Sequence, residues 1–598
     1  MSKISLSFTI ILLLAVVAAA QTSSALTGIV TDPGGALVPG AKVVLFDTKT
    51  SRELTTTTNE QGGYSFTSVP QGGGYRLTVS SNGFQTLVLS DISLGIGRTE
   101  TQNLTLQTGQ VSETVLVTSA AGEATLNTTD PSIGNVISER QIRELPIQLR
   151  DNPAALMGLQ PGVIGDNVGT GNVNRVGSVT GARADQGNIT VDGIDANDVT
   201  TGQAFVTIGN LPIDSVQEFR AVSTNPNASE GRSSGGQIQL ATRSGTNQFH
   251  GSLREYYRGE KFAANTFFNN RNGVARPALQ RHQFGGSLSG PLPFFNFGDG
   301  GGPFFKSGKD RLFFFFDYEG RRDDSETSQT RTVPLQHFRN GQVGYLLATS
   351  TTNGSACPTN ARLDTRPDCI GFASQATLSA LDPLHLGFNS SLLSFVNQRY
   401  PLPNDLSGGN GINTGLYRFN APNKLGNNTY TGRIDGNISE SQRLFGRLTL
   451  TRNSQTNAFQ QFPGDADAQR LDDNSYQIAF GHTWAINSSW TNQATVGVSR
   501  QKWFFPFAPN DAFPVSYTFG VIQNPYAASV YQDRDVIVPT FRDDVVWTKG
   551  QHSITFGGSY KPIRQNTTLT NDLAFPTIGL GGGVTSLSAA FRPSFRWC

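Results

Sequence analysis

Two runs in the chain, Tyr430 to Ile438 and Arg443 to Arg452, alternate between apolar and polar residues with a period of two. In the first, the even positions are Tyr, Gly, Ile, Gly and Ile and the odd ones Thr, Arg, Asp and Asn. In the second, Leu444, Gly446, Leu448 and Leu450 alternate with Arg447, Thr449 and Thr451. A strand of about ten residues with one apolar and one strongly polar face suits lipid on one side and a wet lumen on the other. The short SESQ link at 439–442 reads as a periplasmic turn. The next pair repeats the design, with Tyr476, Ile478, Phe480 and Trp484 outward, then Trp490, Ala494, Val496 and Val498, joined at Asn487 and Ser488. A water-soluble sandwich also alternates. Paired runs with aromatic ends and links that alternate short and long favour a membrane barrel instead.

Composition agrees. Only 15% of the 598 residues are charged and 37% are of the AVILMFWYC set, while Gly numbers 66 and aromatics reach 10%. A soluble cytosolic chain carries roughly 25% charged residues, and a disordered one lacks this aromatic content. A net charge of +1 gives phosphate backbones nothing to grip, so no nucleic-acid partner is expected. At the start, Lys3, the apolar run Leu6 to Val17 and Ala18-Ala19-Ala20 before Gln21 have the form of an export signal over residues 1–20, cleaved between Ala20 and Gln21. The later sequence holds no stretch long and apolar enough for a membrane helix.

Residues 22–108 alternate short β-prone runs with turn clusters such as Asp32-Pro33-Gly34-Gly35, at the spacing of a small β-sandwich. The segments GIVTDPGGALVPGAKVVL (28–45) and TNEQGGYSFTSVPQGGGYRLTV (58–79), with Gly83-Phe84, resemble the carboxypeptidase regulatory-like domain. The resemblance implies a prealbumin-like sandwich related to carbohydrate-binding folds, and no peptidase activity. A structural spacer is the plainer reading of its role. The triple glycine at 72–74 departs from the family's tighter turn and is expected to loosen that hairpin.

Residues 109–245 introduce helices. Ser138 with Gln141 forms a capping-box pattern whose helix should stop by Pro146, and Asn152-Pro153 opens a second that ends at Pro161-Gly162. Strands are expected at 189–191, before the turn Asp192-Gly193, at 215–222 and at 235–242, where QIQLAT alternates. An α+β domain follows. The succession GARADQGNITVDGIDAND (181–198) and LPIDSVQEFRAVSTNPNASEGRSSGGQIQLATRSGTNQFHGSLREYY (211–257) resembles the plug of TonB-dependent outer-membrane receptors, closest to the Oar-like branch. The matching positions are Gly181, Arg183, Asp192, Gly193, Glu218, Gly231, Gly235, Gly236, Ser244 to Asn247, and His250-Gly251.

Just before the plug, Glu113, Thr114, Val115, Leu116, Val117 and Thr118 resemble the TonB box, an extended segment able to add to a partner's sheet. An ordinary strand closing the first domain or opening the plug fits the same residues equally well. The acidic cluster Asp192, Asp195, Asn197 and Asp198 does not fit a calcium loop and reads as a turn with solvated carboxylates. Between Arg322 and Asn428 lies a polar segment without periodicity, expected to be a large extracellular loop that meets the ligand. Its Cys357 and Cys369 are close enough, in an oxidising compartment, to favour a local disulfide.

No catalytic constellation is encoded. Gly302 to Lys309 is one residue too long for a phosphate loop, the six histidines lack metal-ligand spacing, and no serine sits in a nucleophile elbow. No enzyme, cofactor or metal is therefore expected. The resemblance implies a receptor in the outer membrane of a Gram-negative-type bacterium, facing lipid, binding an extracellular ligand, and energised through TonB and its inner-membrane ExbB/ExbD motor. A rival of another class is an outer-membrane adhesin or sugar-binding surface protein that transports nothing. Residues 246–598 hold about nine recognisable strands, against about 22 in plugged transporters. The expected fold is thus mainly β, with a sandwich, a plug and an incomplete antiparallel transmembrane barrel, and a truncated or frameshifted product is expected.

Overall fold

The computed structural model describes residues 24–109, 114–118, 132–145, 150, 152–164, 177–200, 206–227, 230–231, 234–295, 305–383, 389–456, 460–465, 470–487, 489–506, 516–526, 530–549, 552–571 and 577–580. The proposed export signal with its Ala20–Gln21 junction, Glu113 and the last eighteen residues lie outside them.

The first domain is a sandwich. One sheet runs in the order Arg52–Thr57, Lys42–Asp47, Gly72–Ser80, Thr86–Leu94, Thr114–Thr118. The other centres on Ser24–Thr31, flanked by Gly63–Val69 and Thr99–Thr101. Alternate residues of both, among them Leu26, Val43, Leu45, Leu77, Val79 and Leu94, fill the core, as a two-sheet packing requires. The glycine run at 72–74 is no loop: it lies within a strand, with Gly72 at φ 126° and Gly74 at φ 96°. Register slips between Gly73 and Tyr75, so these glycines build a bulge that L side chains would strain.

In the plug, the strands Ile133–Ser138, Val216–Thr224, Gln237–Thr242, Asn188–Val191 and Ile194–Asp195 form one sheet in that order. The helix Glu139–Glu144 opens on Ser138, whose backbone N–H donates to Gln141 Oε1 at 3.0 Å. Pro153–Leu159 is a 3-10 helix capped by Asn152. The strand expected from Ser215 begins one residue later, because Ile213–Ser215 makes a 3-10 turn. QIQLAT is buried at all six positions. Its polar face is covered as thoroughly as its apolar one, since the plug sits inside the barrel.

The third sheet has eleven strand segments. Arg470–Asp473 and Tyr476–Ala485 both pair with the strands on either side, as one interrupted strand, and His552–Tyr560 and Arg564–Asn571 both pair with Val530–Lys549. Nine spans result, all antiparallel. Outward residues Leu444, Leu448, Ile434 and Phe480 are exposed, whereas Thr431, Arg433, Asp435, Arg447 and Thr449 are buried toward the lumen. Short turns after Asn437 and after Ala485 mark the periplasmic end, and Trp490 stacks on Trp547 beside them at 5.5 Å.

One expectation fails. The stretch from Arg322 to Asn428 is not a loop throughout, because Leu312–Pro334 and Thr414–Asn437 pair residue for residue from Leu312↔Gly436 to Pro334↔Thr414. A span needs about 9 to 11 residues, so half of this hairpin stands above the membrane. There both faces meet water, the apolar alternation disappears, and the backbone ladder continues without it. The true loop is 335–413. It carries three short helices, the hairpin Val343–Leu346/Ile370–Ala373 and the Cys357–Cys369 disulfide. It docks through Arg399, which pairs with Asp465 and lies over the Phe462 and Tyr526 rings at 4.9 and 4.6 Å.

Leu448 lies midway along the lipid-facing run. Leu448→Arg should cost about 2 to 4 kcal/mol of barrel stability, read as a lowered urea midpoint in lipid vesicles, whereas Lys424→Arg, outside the membrane, should leave that midpoint unchanged.

Candidate functional site

The plug turn that follows Asn188–Val191 is a tight two-residue reversal. Asp192 has φ 47° and Gly193 φ 83°, the paired positive values of a hairpin turn that Asp-Gly adopts readily. This turn is not solvated. Asp192, Asp195, Asn197 and Asp198 are all buried, because the barrel wall closes over them. Asp192 Oδ1 accepts from the Thr242 backbone N–H and from Arg433 Nη1, each at 3.0 Å. Its Oδ2 accepts from the Thr242 hydroxyl and lies 2.7 Å from Arg447 Nε. Arg433 is held in turn by Asp435 at 2.8 Å and lies over the Phe445 ring at 4.5 Å, while Arg443 pairs with the other oxygen of Asp435. One plug carboxylate therefore bridges two buried wall arginines, with Asp435 supplying the second negative charge.

A second lock lies on the first strands of the barrel. Arg254 reaches Asp214 of the plug at 3.1 Å and Asp317 of the wall at 2.7 Å, with Glu319 at 3.5 Å. The Ser215 hydroxyl donates to Asp317 Oδ2 at 2.8 Å. Toward the other end, Gln477 donates to the Ile208 carbonyl at 2.7 Å and Asn210 N–H to Thr451 Oγ1 at 3.0 Å. The plug is tied to the wall by charge at its sheet and by neutral hydrogen bonds on its loops.

The sandwich stops the periplasmic mouth. Its turn 95–98 wedges against the plug: Ile96 is buried, its N–H donates to Glu218 Oε2 at 3.0 Å, and a side chain at Gly97 would collide with Gln239 and Arg220. Arg52 donates to the carbonyl of Glu440 in a periplasmic turn, the hydroxyls of Thr67 and Thr491 lie 2.6 Å apart, and Asn247 N–H donates to the Lys49 carbonyl. A cavity of about 240 Å³ remains where sandwich, plug and wall meet, lined in part by Arg52, Arg243 and Arg443. Burial pushes the Glu218 carboxyl up to about 7, against the Ile96 hydrogen bond and the nearby Arg98 and Arg220, with Glu100 adding to the rise.

The other plug positions divide. Gly181 makes a turn at φ 85°, and Arg183 beside it pairs with Asp185 on the surface, away from both locks. Gly235 and Gly236 bring backbone against Gln186, Met157 and Val179, where a Cβ would stand within 3.0 Å of its neighbours. Thr114–Thr118 pairs in parallel with Thr86–Ser90 and forms the last strand of the sandwich sheet. Sequence reasoning missed Asp214, Arg254 and Asp317 altogether. For Arg254 and Asp317 the signal was an ionisable residue at a lumen-facing position of a membrane strand, which is costly unless paired, whereas Asp214 sits in a 3-10 turn of the plug that carries no such signal.

Plug in lumen, sheet with a lipid face, and sandwich at the mouth define an outer-membrane barrel protein of the transporter type. The outer membrane beta barrel domain family matches residues 241–592, and the carboxypeptidase regulatory-like domain residues 25–107. The first match spans more than half the chain, which belongs to that family. The chain is also similar to the TonB-dependent transporter Oar of Myxococcus xanthus, 28% identical over 360 residues that cover 58% of this chain and 31% of the relative. It thus spans about a third of that protein's length. Among solved structures it is similar to the outer membrane transporter YddB of Escherichia coli, at 13% identity and TM-score 0.40 over 73% of this chain and 48% of that one. It is also similar to the ferric enterobactin receptor of Pseudomonas aeruginosa, at 12% identity and TM-score 0.35 over 74% and 55%. Its place is the outer membrane of a Gram-negative-type cell, and its curated relative is a transporter.

Two outcomes follow. Asp192→Asn leaves Arg447 buried without a carboxylate and should destabilise plug seating by about 3 to 5 kcal/mol, measured by urea titration of plug protection from protease; an unchanged midpoint would remove the lock from the argument. Glu218 binds its proton more tightly when docked than when free. Docking of the sandwich is therefore strongest below about pH 4.5 and weakens as pH rises through about 7. Tryptic cleavage after Arg98 should accelerate from pH 5 to pH 8, and Glu218→Gln should flatten that dependence.

Proposed function

We propose that this chain is the receptor part of a TonB-dependent transporter, taking up an extracellular ligand by energy-coupled displacement of the plug. The observation that carries the reading is the plug itself. It packs against the inward face of the barrel sheet and is fastened there by compact ion pairs at Asp192 and Asp214 rather than by a continuous apolar core. Such fastenings are strong at rest and are lost over a short displacement, because a buried pair depends on close geometry.

The pulling handle in this reading is 113–118. Thr114–Thr118 is the last strand of its sheet, and its outer edge carries no strand among the described residues. An extended segment of TonB can add there, main-chain hydrogen bonds giving affinity and alternate side chains specificity. Neighbouring Thr86–Leu94 leads directly into the wedge at 95–98, so load on the handle passes to the contact with Glu218. The ExbB/ExbD motor supplies the work. Ligand meets the loop 335–413 and the plug loops before the locks release.

Deletion of residues 113–118 tests this. Binding of the purified periplasmic domain of TonB to the chain in detergent should be lost, and energy-dependent uptake by cells should collapse with it. Retained TonB binding would move the handle elsewhere, and loss of neither property, with cell adhesion intact, would favour an adhesin.

A further inference from the structure

On the outward face of four strands, the lipid-facing run ends at its extracellular side on a polar residue. Beyond Tyr318 and Gly320 comes Arg322, beyond Tyr430 comes Asn428, beyond Leu450 comes Arg452, and beyond Val498 comes Arg500. From Gln442, at the periplasmic turn, to Arg452 is ten residues. At a tilt of about 45° that is about 24 Å along the membrane normal, the height of the apolar band. These residues therefore sit at the level of the outer-leaflet headgroups.

Their electrostatics differ. Arg500 is neutralised by Asp535, 2.5 Å away, and Lys502 beyond it by Asp533 at 2.6 Å. Arg322 and Arg452 are exposed, and among the described residues neither pairs with a carboxylate. Arg322 donates to the carbonyls of Arg321 and Asn427, both at 2.8 Å, and to Asn428 Oδ1 at 2.9 Å. It also lies over the Phe284 ring at 5.7 Å, which holds its plane. Arg452 donates to the Thr451 carbonyl at 2.8 Å and is the register partner of Asn428. The Tyr318 hydroxyl donates to the same Asn428 Oδ1 at 2.9 Å. With that oxygen occupied twice, the amide nitrogen is the end of Asn428 left to act, and it can only donate.

We propose that Arg322, Asn428 and Arg452 form a cradle on the outer wall for the phosphate group of a phosphorylated glycolipid of the outer leaflet. Three neighbouring strands contribute donors here, which suits an anion. Guanidinium groups bind phosphate in a planar two-point fashion. The position, just above Tyr318 and Tyr430, whose rings lie 5.1 Å apart, is the level of a lipid phosphate in the outer leaflet.

The test is lipid retention by the full chain, purified in detergent and weighed intact by native mass spectrometry. The phosphorylated glycolipid should stay bound. The same lipid stripped of its phosphates should not, and retention should fall about fivefold for each arginine lost in R322A and R452A. Lys424→Ala, an exposed cation farther from the membrane, should change nothing. Equal retention of the dephosphorylated lipid would overturn the proposal, as would full displacement of the lipid by inorganic pyrophosphate at comparable concentration, which would make this a site for free phosphate. If the alanine variants fail to fold, judged by heat-modifiable migration, the wild-type chain decides alone: retention must drop as salt rises, and salt-independent binding would refute the cradle.

Discussion

The fastening of the plug sheet to the wall depends on charge that has been taken out of water. Arg447 is almost wholly buried, and Asp192 is the carboxylate that compensates it. Two like charges, Arg433 and Arg447, share that carboxylate, an arrangement that is stable only because Asp435 and Arg443 extend the network outward. Removing a single member leaves an uncompensated ion, which costs more than the intact pair contributes. The consequence is geometric. The hairpin turn must present Asp192 at one place, which Asp-Gly achieves with both residues in the left-handed region, and the Thr242 strand beside it must supply its N–H and hydroxyl to the remaining lone pairs.

The same constraint explains the composition. A lumen wall cannot be apolar, because the plug and water face it, and the outer wall cannot be polar across the membrane. Each span therefore alternates, and Thr431, Arg433, Asp435, Arg447 and Thr449 are among the residues turned to the lumen. Aliphatic content is low for a chain so thoroughly folded, and the charges it has are concentrated in pairs. Beyond the membrane the hairpin Leu312–Pro334/Thr414–Asn437 keeps its ladder but loses the alternation, since nothing distinguishes its faces any longer.

What the sequence made legible follows from this. Tyr430 to Ile438 and Arg443 to Arg452 were readable in register, face and turn, because lipid on one side imposes a period. The capping box at Ser138 and the Asp192-Gly193 reversal were readable from local chemistry. Burial of Asp192 was not. A cluster of carboxylates looks solvated unless the arginines that cover it are known to face it, and Arg433 and Arg447 lie some 240 to 255 positions away. The extent of the hairpin at 312–437 was hidden for the opposite reason, since backbone pairing leaves no side-chain signature when both faces are wet. The fit of Thr114–Thr118 to the sandwich edge was open in the sequence because an exposed β-prone segment suits any free edge.

That edge bears on how force would travel. A parallel strand pulled along its own axis loads its hydrogen bonds together, whereas one drawn away sideways breaks them in turn. Thr114–Thr118 runs parallel to Thr86–Ser90, so on the proposed reading an axial pull is resisted along the whole pairing and passes to Thr86–Leu94. That strand ends at the wedge, where Ile96 and Gly97 press on Glu218, Arg220 and Gln239. The wedge is the contact that pH can loosen, since burial raises the proton affinity of Glu218 and its ionised form is the one that burial disfavours. On the proposed reading the sandwich would leave the periplasmic mouth before the plug, whose exit it covers.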